Sequence, residues 1–260
     1  MPLKVISWNM RRATSQSPAW NLFAEYDPDI ALLQEVNSFP ETISLKYNIR
    51  KTHATSKSGK PQKFYTVVLC KGKFIEEIKL HSEYNWVNNE LDFFNGNFAA
   101  YRLRIHDIVI NVISAYCPAW PVDENRIKDI DVSEVKLTQN PKVWATEILW
   151  ASLKNRTDFI SENWIVAGDF NSSPTFDYLW PGGPHGNQEI IDRMNALGFY
   201  ECLFLHQGKI TPTFRNPSGG KIIHQMDHMY VNQSLFGKLK LSETRDSNRI
   251  FDESLSDHLP

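Results

Sequence analysis

Trp164-Ile165-Val166-Ala167-Gly168-Asp169-Phe170-Asn171-Ser172-Ser173-Pro174 reads as a short buried strand that ends in an acid and an amide, with a turn behind them. The unbroken apolar run marks the strand, and Ser172-Ser173-Pro174 supplies the turn. A sheet edge built this way presents oxygen ligands to a divalent cation and to a phosphate. In isolation the same tetrapeptide, Gly168 to Asn171, would equally suit an ordinary strand exit with an Asx turn. What decides is recurrence.

Other segments along the chain repeat the design, setting polar groups at the end of a β-type run or beside one. Val5-Ile6-Ser7-Trp8 precedes Asn9, and Ile30-Ala31-Leu32-Leu33 precedes Gln34-Glu35. Ile110 to Ala115 leads to Tyr116 and Pro118. Near the end come Met226-Asp227-His228-Met229-Tyr230-Val231 and then Ser256-Asp257-His258. Polar strand ends spread over the whole chain point to one convergent site.

The set Trp8-Asn9, Gln34-Glu35, Ala115-Tyr116-Cys117-Pro118, Gly168-Asp169-Phe170-Asn171, Met226-Asp227-His228 and Ser256-Asp257-His258 resembles, in order, the endonuclease/exonuclease/phosphatase superfamily. That superfamily includes exonuclease III-like repair nucleases, pancreatic-type deoxyribonucleases, inositol polyphosphate phosphatases and sphingomyelinases. The resemblance implies an α/β fold of the α+β type, a four-layer α/β/β/α sandwich of two mixed sheets flanked by helices. It also implies Mg²⁺, with Mn²⁺ as a substitute. The matching motifs lie on both sides of the polar segment Thr52–Lys63, read here as a loop, so residues 1–260 are expected to form a single domain.

Phosphate ester hydrolysis needs a nucleophilic water, neutralised phosphoryl oxygens and help for the departing oxygen. Glu35 is a hard oxygen donor suited to Mg²⁺, and the resemblance makes it the essential metal ligand. Asn9 offers an amide to a metal-bound water or a phosphate oxygen. Adjacent side chains point apart, so Asp257 is read as a metal ligand and His258 as a contact to the scissile phosphate. That histidine needs a carboxylate to fix its tautomer, and Asp227 matches the family's residue for the task. Asp169 and Asn171, two apart on an extended segment, share a face; by resemblance Asp169 orients or deprotonates the attacking water and Asn171 donates to a phosphoryl oxygen. Tyr116 lies in the Ala-Tyr-x-Pro context of exonuclease III-like members. Its phenol would donate to the phosphate or, with a lowered pKa, protonate the leaving oxygen.

Several tempting residues have plainer readings. Arg11-Arg12, just beyond Asn9, would bind phosphate or form a solvated pair. Trp120 would stack on a base or pack. His185, in the turn-rich stretch Trp180 to Gly186, would border the cleft. His224 and His228 flank Asp227 at positions whose strand parity turns them away from it. Gly219-Gly220-Lys221 lacks the spacing of a phosphate-binding loop.

The bulk numbers exclude little. Over 260 residues the formal net charge is −2, so no global basic field drives nonspecific nucleic-acid binding. No apolar stretch has the length of a membrane span or signal peptide. Cys70, Cys117 and Cys202 are scattered and odd in number, expected to be reduced thiols in a cytoplasmic protein.

Periodicity predicts helices over Pro18–Glu25, Lys142–Asn155 and Asn187–Leu197, the last capped by Gly198. It predicts hairpins at Lys71-Gly72-Lys73 and His106-Asp107. Val122–Asn140 has no clear period and is read as an insertion beside the cleft. Related proteins continue past the residue matching Pro260 into a strand that anchors the histidine loop, so His258 is expected to be less firmly held here. The favoured reading is a nuclease cleaving DNA or RNA. Its rivals are a phosphatase or phosphodiesterase for a nucleotide, inositol phosphate or lipid headgroup, and an idle binding module on the same scaffold. Oligomeric state is left open.

Overall fold

The structure, a computed structural model, describes residues 2–179, 185–216 and 220–260. Among these, two mixed sheets pack face to face. The four-stranded sheet orders as β1 (Val5–Ala13), β2 (Ile30–Val36), β4 (Pro61–Cys70) and β3 (Asn48–Thr55). The six-stranded sheet orders as β5 (Lys73–Glu77), β6 (Phe98–Ile105), β7 (Ile108–Tyr116), β8 (Trp164–Asp169), β10 (Asp227–Asn232) and β9 (Phe199–Glu201). In the first sheet β1 and β2 are parallel, in the second β7 and β8, and the remaining pairs are antiparallel.

Strand parity divides the apolar residues into three layers. Between the sheets, Ile30, Leu32, Val68 and Cys70 meet Tyr101, Leu103, Val112, Ile165 and Val231. Outside the smaller sheet, Trp8, Leu33, Val67 and Leu69 pack on Trp20, Leu22 and Phe23 of the helix Ala19–Tyr26. Outside the larger one, Ile113, Val166 and Tyr230 pack on the helices Asn85–Phe93, Ala145–Leu153 and Asn187–Ala196. Each fully covered Leu or Val side chain contributes roughly 1.5–3 kcal/mol. The result is the four-layer sandwich anticipated from the motifs.

β8 is buried along its whole length, as its apolar run requires. Its last turn before the acid depends on Gly168, because a Cβ there would lie 1.9 Å from the Ala115 carbonyl oxygen of β7. Only glycine lets the two parallel strands close up at that point. The hairpin at His106-Asp107 joins β6 to β7 as expected, and the helices near Ala19, Ala145 and Asn187 start and stop within a few residues of their predicted bounds.

Two expectations fail. Lys71-Gly72-Lys73 does not make a hairpin: β4 pairs with β2 and β3, whereas β5 pairs with β6 in the opposite sheet. The tripeptide instead carries the chain from one sheet to the other, with Gly72 pressed so near Arg104 that a Cβ would sit 2.1 Å from its carbonyl oxygen. Thr52–Lys63 is also not a loop throughout. β3 runs to Thr55 and β4 starts at Pro61, leaving a short turn closed by Ser56 N–H to Lys60 O at 2.8 Å. β3 is an edge strand with mostly exposed polar side chains, so it lacks the apolar alternation that marks a half-buried strand.

The insertion 122–140 is turn-rich yet anchored. Val122, Val135 and Leu137 are buried, Arg193 donates to the Val135 and Lys136 carbonyls, and Thr138 N–H donates to Glu189 Oε2 at 2.8 Å. Cys70, Cys117 and Cys202 are buried and unpaired. Among the described residues no helix is long and apolar enough to cross a membrane.

Glu147, fully buried on the helix Ala145–Leu153, borders a cavity of about 20 Å³ also lined by Trp144, Cys117 and Asn171. Thr146 Oγ1 donates to Glu147 Oε2 at 2.7 Å, while Glu147 Oε1 and Trp144 Nε1 have no protein partner; such a polar pocket is room for one water. Burial raises the Glu147 carboxyl from 4.5 to about 7. The folded state therefore binds the proton more tightly than the unfolded chain, so stability falls as pH rises from 4.5 to 7 and then levels off. Glu147→Gln is expected to remove that slope and to stabilise the protein above pH 7 by on the order of 3 kcal/mol. Denaturant unfolding from pH 4.5 to 8 checks this; an unchanged slope contradicts it.

Candidate active site

Strand register assembles the site. In the larger sheet Tyr116 on β7, Asp169 on β8 and Asp227 on β10 are neighbouring rungs, since Tyr116 pairs with Asp169 and Asp169 with Asp227. In the smaller sheet Asn9 pairs with Gln34, next to Glu35. A buried polar strut aligns the two sheets: Gln34 Nε2 donates to Ser114 Oγ of β7 at 3.0 Å, and Ser114 Oγ donates to the Leu33 carbonyl at 3.3 Å.

Asn9 bridges the halves. Its Nδ2 donates to Asp169 Oδ2 at 2.9 Å and lies 3.4 Å from Glu35 Oε1. Asp169 also accepts from the Asn171 backbone N–H at 2.9 Å and from Asn171 Nδ2 at 3.1 Å. Asn171 does not reach this position by extended-strand parity, because its φ is 46°. The left-handed backbone folds the amide back onto Asp169, and the same Nδ2 donates to the Cys117 carbonyl at 2.8 Å. Its amide hydrogens are thus shared between Asp169 and the Cys117 carbonyl, whereas the resemblance implies donation to a phosphoryl oxygen.

His258 is fixed from several sides. Its Nδ1–H donates to Asp227 Oδ2 at 2.8 Å, and that oxygen also accepts from Thr213 Oγ1 at 2.7 Å. Its Nε2 stands 3.9 Å from Asp169 Oδ2. Trp8 Nε1 donates to the His258 carbonyl at 2.9 Å, Leu259 N–H to Thr213 O at 2.7 Å, and Ser256 Oγ to Asn9 O at 2.7 Å. The expectation of a loosely held His258 therefore fails, because β1, Thr213 and the isolated Phe214–His258 bridge supply the anchors.

Electrostatics follow from this packing. Burial alone would depress the His258 imidazolium, but the Asp227 and Asp169 charges and the Asp227 hydrogen bond outweigh it and hold the ring above its usual pKa of 6.5. Burial, reinforced by Asp227, pushes the Asp169 carboxyl up, against His258 and the Asn9 and Asn171 donors. Burial also raises Glu35, and the Asp257 charge adds to it. The Tyr116 phenol is raised by burial first and then by Glu35 and Asp169, so the lowered pKa considered for it is not what the fold provides. Tyr116 acts as a neutral hydroxyl, packed edge-on against Phe64 at 5.2 Å.

The charged imidazolium stabilises the fold fully below 6.5, and that contribution is lost as pH rises through its elevated folded pKa. Asp227→Asn is expected to lower the His258 pKa by about one unit or more. NMR titration of the His258 ring in metal-free protein reads this directly, and an unmoved titration contradicts it.

Asp169, Asp227 and His258 bring ligand atoms within 4.8 Å of one another, close enough to enclose a cation. The 2.8 Å contact from His258 Nδ1 to Asp227 is occupied by a proton, however, which spends that nitrogen. Glu35 and Asp257 form the other acidic group, with only weak compensation: Arg12 Nε is 3.7 Å from Glu35 Oε2 and Arg11 Nε 3.8 Å from Asp257 Oδ2. These two carboxylates are hard oxygen donors with excess negative charge, which fits Mg²⁺ or Mn²⁺, whereas Asn9 turns its Nδ2 to Glu35 and its Oδ1 to the Arg11 N–H, so it can hold a metal-bound water but offers the cation no free oxygen.

The remaining candidates make other contacts. Trp120 is half-buried and packs on Phe94 at 5.5 Å. His185 is half-buried, and the stretch 180–184 before it lies outside the described residues. His228 points away from Asp227, with Nε2 donating to the Ser172 carbonyl at 3.0 Å, and His224 Nδ1 meets Thr175 Oγ1 at 2.7 Å. Sequence reasoning missed Thr213, Ser256 and the strut role of Gln34, whose small or uncharged side chains carry no chemical signal until their partners are known.

Structural relatives agree with this architecture. A 3′ phosphatase from Neisseria bound to a product DNA hairpin superposes with a TM-score of 0.67 at 17% identity, covering 99% of this chain and 96% of that one. A 3′-5′ exonuclease from Neisseria meningitidis gives 0.67 at 16%, covering 99% and 97%, and an AP endonuclease from Leishmania major gives 0.60 at 14%, covering 99% and 85%. At such identities the likeness is one of fold. No curated protein matches the sequence. The profile of the Endonuclease/Exonuclease/phosphatase family, in contrast, matches residues 6–258, and with that extent the chain belongs to this family of hydrolases acting on phosphate esters.

Proposed function

We propose that this chain, working as one cytoplasmic domain, is a Mg²⁺-dependent nuclease that hydrolyses phosphodiester bonds of DNA or RNA by in-line attack of water. The observation that carries the reading is the Asn9 amide, which joins the candidate metal ligand Glu35 to the candidate base Asp169 across the two sheets. A cation held by Glu35 and Asp257 would neutralise charge on the phosphoryl and departing oxygens, with the Asn9 amide holding Glu35 in place.

The chain's own groups then divide the work. Asp169, raised by burial and beside His258, accepts a proton from the attacking water. Asn9 and Asn171 hold its carboxylate in place. His258 presents Nε2–H to a phosphoryl oxygen while Asp227 holds the opposite nitrogen. Tyr116, kept protonated by burial, donates to the phosphate or the leaving oxygen. Arg11, Trp120 and His185 stand as candidate outer contacts to the substrate.

Support for a nucleic-acid substrate comes from the DNA-bound Neisseria phosphatase and from the tyrosine at position 116. The net charge of −2 favours the rival, a phosphatase or phosphodiesterase for small phosphates. Incubation with single-stranded and duplex DNA, RNA, an abasic duplex and a panel of small phosphates, with Mg²⁺, Mn²⁺ or chelator, separates them. Metal-dependent cleavage of a polynucleotide is expected; hydrolysis of small phosphates alone reverses the assignment.

A further inference from the structure

The β1–β2 register contains an unusual bulge at the site. Asn9 pairs with Gln34 and Ala13 with Val36, so Met10, Arg11 and Arg12 stand opposite Glu35 alone. Met10 and Ala13 are buried and pin the bulge into the outer core. The two arginines project outward, with side chains 43% and 67% exposed. Bulges of this kind re-aim side chains next to active sites.

The backbone here is costly to hold. Nine non-glycine residues among those described have positive φ, and Arg11 at 46°, Arg12 at 59°, Glu35 at 52° and Asn171 at 46° belong to this one rim. Long side chains avoid the left-handed region, and strain gathered at a site is a pointer to function. The strain has a visible product. The Arg11 N–H donates to Asn9 Oδ1 at 3.0 Å, which turns the other end of that amide toward Asp169 and Glu35. Each guanidinium faces one carboxylate of the candidate cation site, Arg11 on Asp257 and Arg12 on Glu35. At 3.8 and 3.7 Å these pairs are longer than hydrogen bonds and partly solvated, so they are weak. Arg12 also lies 5.7 Å from the Phe64 ring, which in turn contacts Tyr116.

From this geometry we infer that Arg11 and Arg12 form an exchanging phosphate clamp, parked on Asp257 and Glu35 in the cation-free protein and released to the substrate's phosphoryl oxygens when those carboxylates take a divalent cation. The inference rests on reading Glu35 and Asp257 as cation ligands. A doubly charged ion displaces a loosely held guanidinium from a carboxylate and repels it. A guanidinium so freed offers planar paired donors that match a phosphate. The arginines must therefore oppose cation binding in the free protein and favour phosphate binding once the cation is present. No purely structural role produces those opposite signs.

Two titrations test the clamp in wild type, Arg12→Gln, Arg11→Gln/Arg12→Gln and Arg12→Lys. Mg²⁺ is titrated calorimetrically into metal-free protein, and inorganic phosphate is followed by ³¹P NMR with Mg²⁺-loaded protein. Both side chains are exposed, so folding should persist, and thermal melts check it. The double glutamine variant is expected to bind Mg²⁺ about threefold or more tightly and phosphate about tenfold or more weakly, with Arg12→Lys in between on both. Unchanged or weaker Mg²⁺ binding, or unchanged phosphate binding, overturns the clamp. Glu35→Gln is run alongside: if it leaves Mg²⁺ affinity intact, the ligand reading falls and takes the clamp with it. If it abolishes that affinity while the arginine variants change nothing, the clamp alone is refuted.

Discussion

Asp169→Asn is expected to reduce kcat for phosphate ester hydrolysis by about 10³-fold or more while the protein stays folded. Asparagine matches aspartate in size, but it cannot take a proton from water. Its effect should exceed that of an ordinary buried polar change because Asp169 is the meeting point of the site. It accepts from Asn9 and twice from Asn171, and lies 3.9 Å from His258 Nε2. Placing an amide there also sets one N–H against the Asn9 or Asn171 donors, which opens the bridge between the sheets. Steady-state kinetics on whichever substrate the panel identifies measures the loss. A variant within tenfold of wild type would remove Asp169 from the proton transfer.

Glu35→Gln is expected to cost about 10³-fold in activity at 1 mM Mg²⁺ and to raise the half-saturating Mg²⁺ concentration by about tenfold or more. The physical ground is the poorly compensated charge at Glu35. Its carboxyl is half-buried, with a long 3.4 Å contact to Asn9 and an ion pair to Arg12 at 3.7 Å, and burial and Asp257 both disfavour its charged form. A divalent ion would reverse that penalty, whereas a neutral amide removes the reason for the ion to bind. The positive φ of Glu35 is retained by glutamine, so the comparison isolates charge. Unaltered Mg²⁺ dependence would reject Glu35 as a ligand.

How far the sequence disclosed this molecule depended on the kind of signal. β8 was legible because it is covered on both faces, so burial and composition agree, and its polar exit could be located to the residue. The structure adds the pairing of β7, β8 and β10, and with it the proximity of Tyr116, Asp169 and Asp227. β3 was illegible because an edge strand of exposed polar residues looks like a loop. Lys71-Gly72-Lys73 was misread because a tight glycine turn serves a hairpin and a sheet-to-sheet crossing equally well; only the partner strands distinguish them.

The chemistry-bearing side chains were visible by type, and most of them do converge. What stayed hidden was their support. Thr213 holding Asp227, Ser256 holding the Asn9 carbonyl and Gln34 bracing Ser114 are contacts between residues 14 to 247 positions apart. Local pattern carries no record of such distances. The left-handed turn at Asn171 was equally unreadable, because Phe170-Asn171-Ser172 permits both an extended and a folded-back amide. The folded-back choice lets the same amide secure Asp169. Burial likewise set the sense of the Tyr116 shift, which composition alone left open.

Everything turns on where a divalent ion sits. Diffraction from crystals soaked in Mn²⁺, recorded at the manganese edge, answers this without reference to any substrate. The account predicts an anomalous peak bounded by Glu35 and Asp257, with the His258–Asp227 hydrogen bond intact. A peak enclosed by Asp169, Asp227 and His258 in its place, or no peak at saturating Mn²⁺, would contradict it.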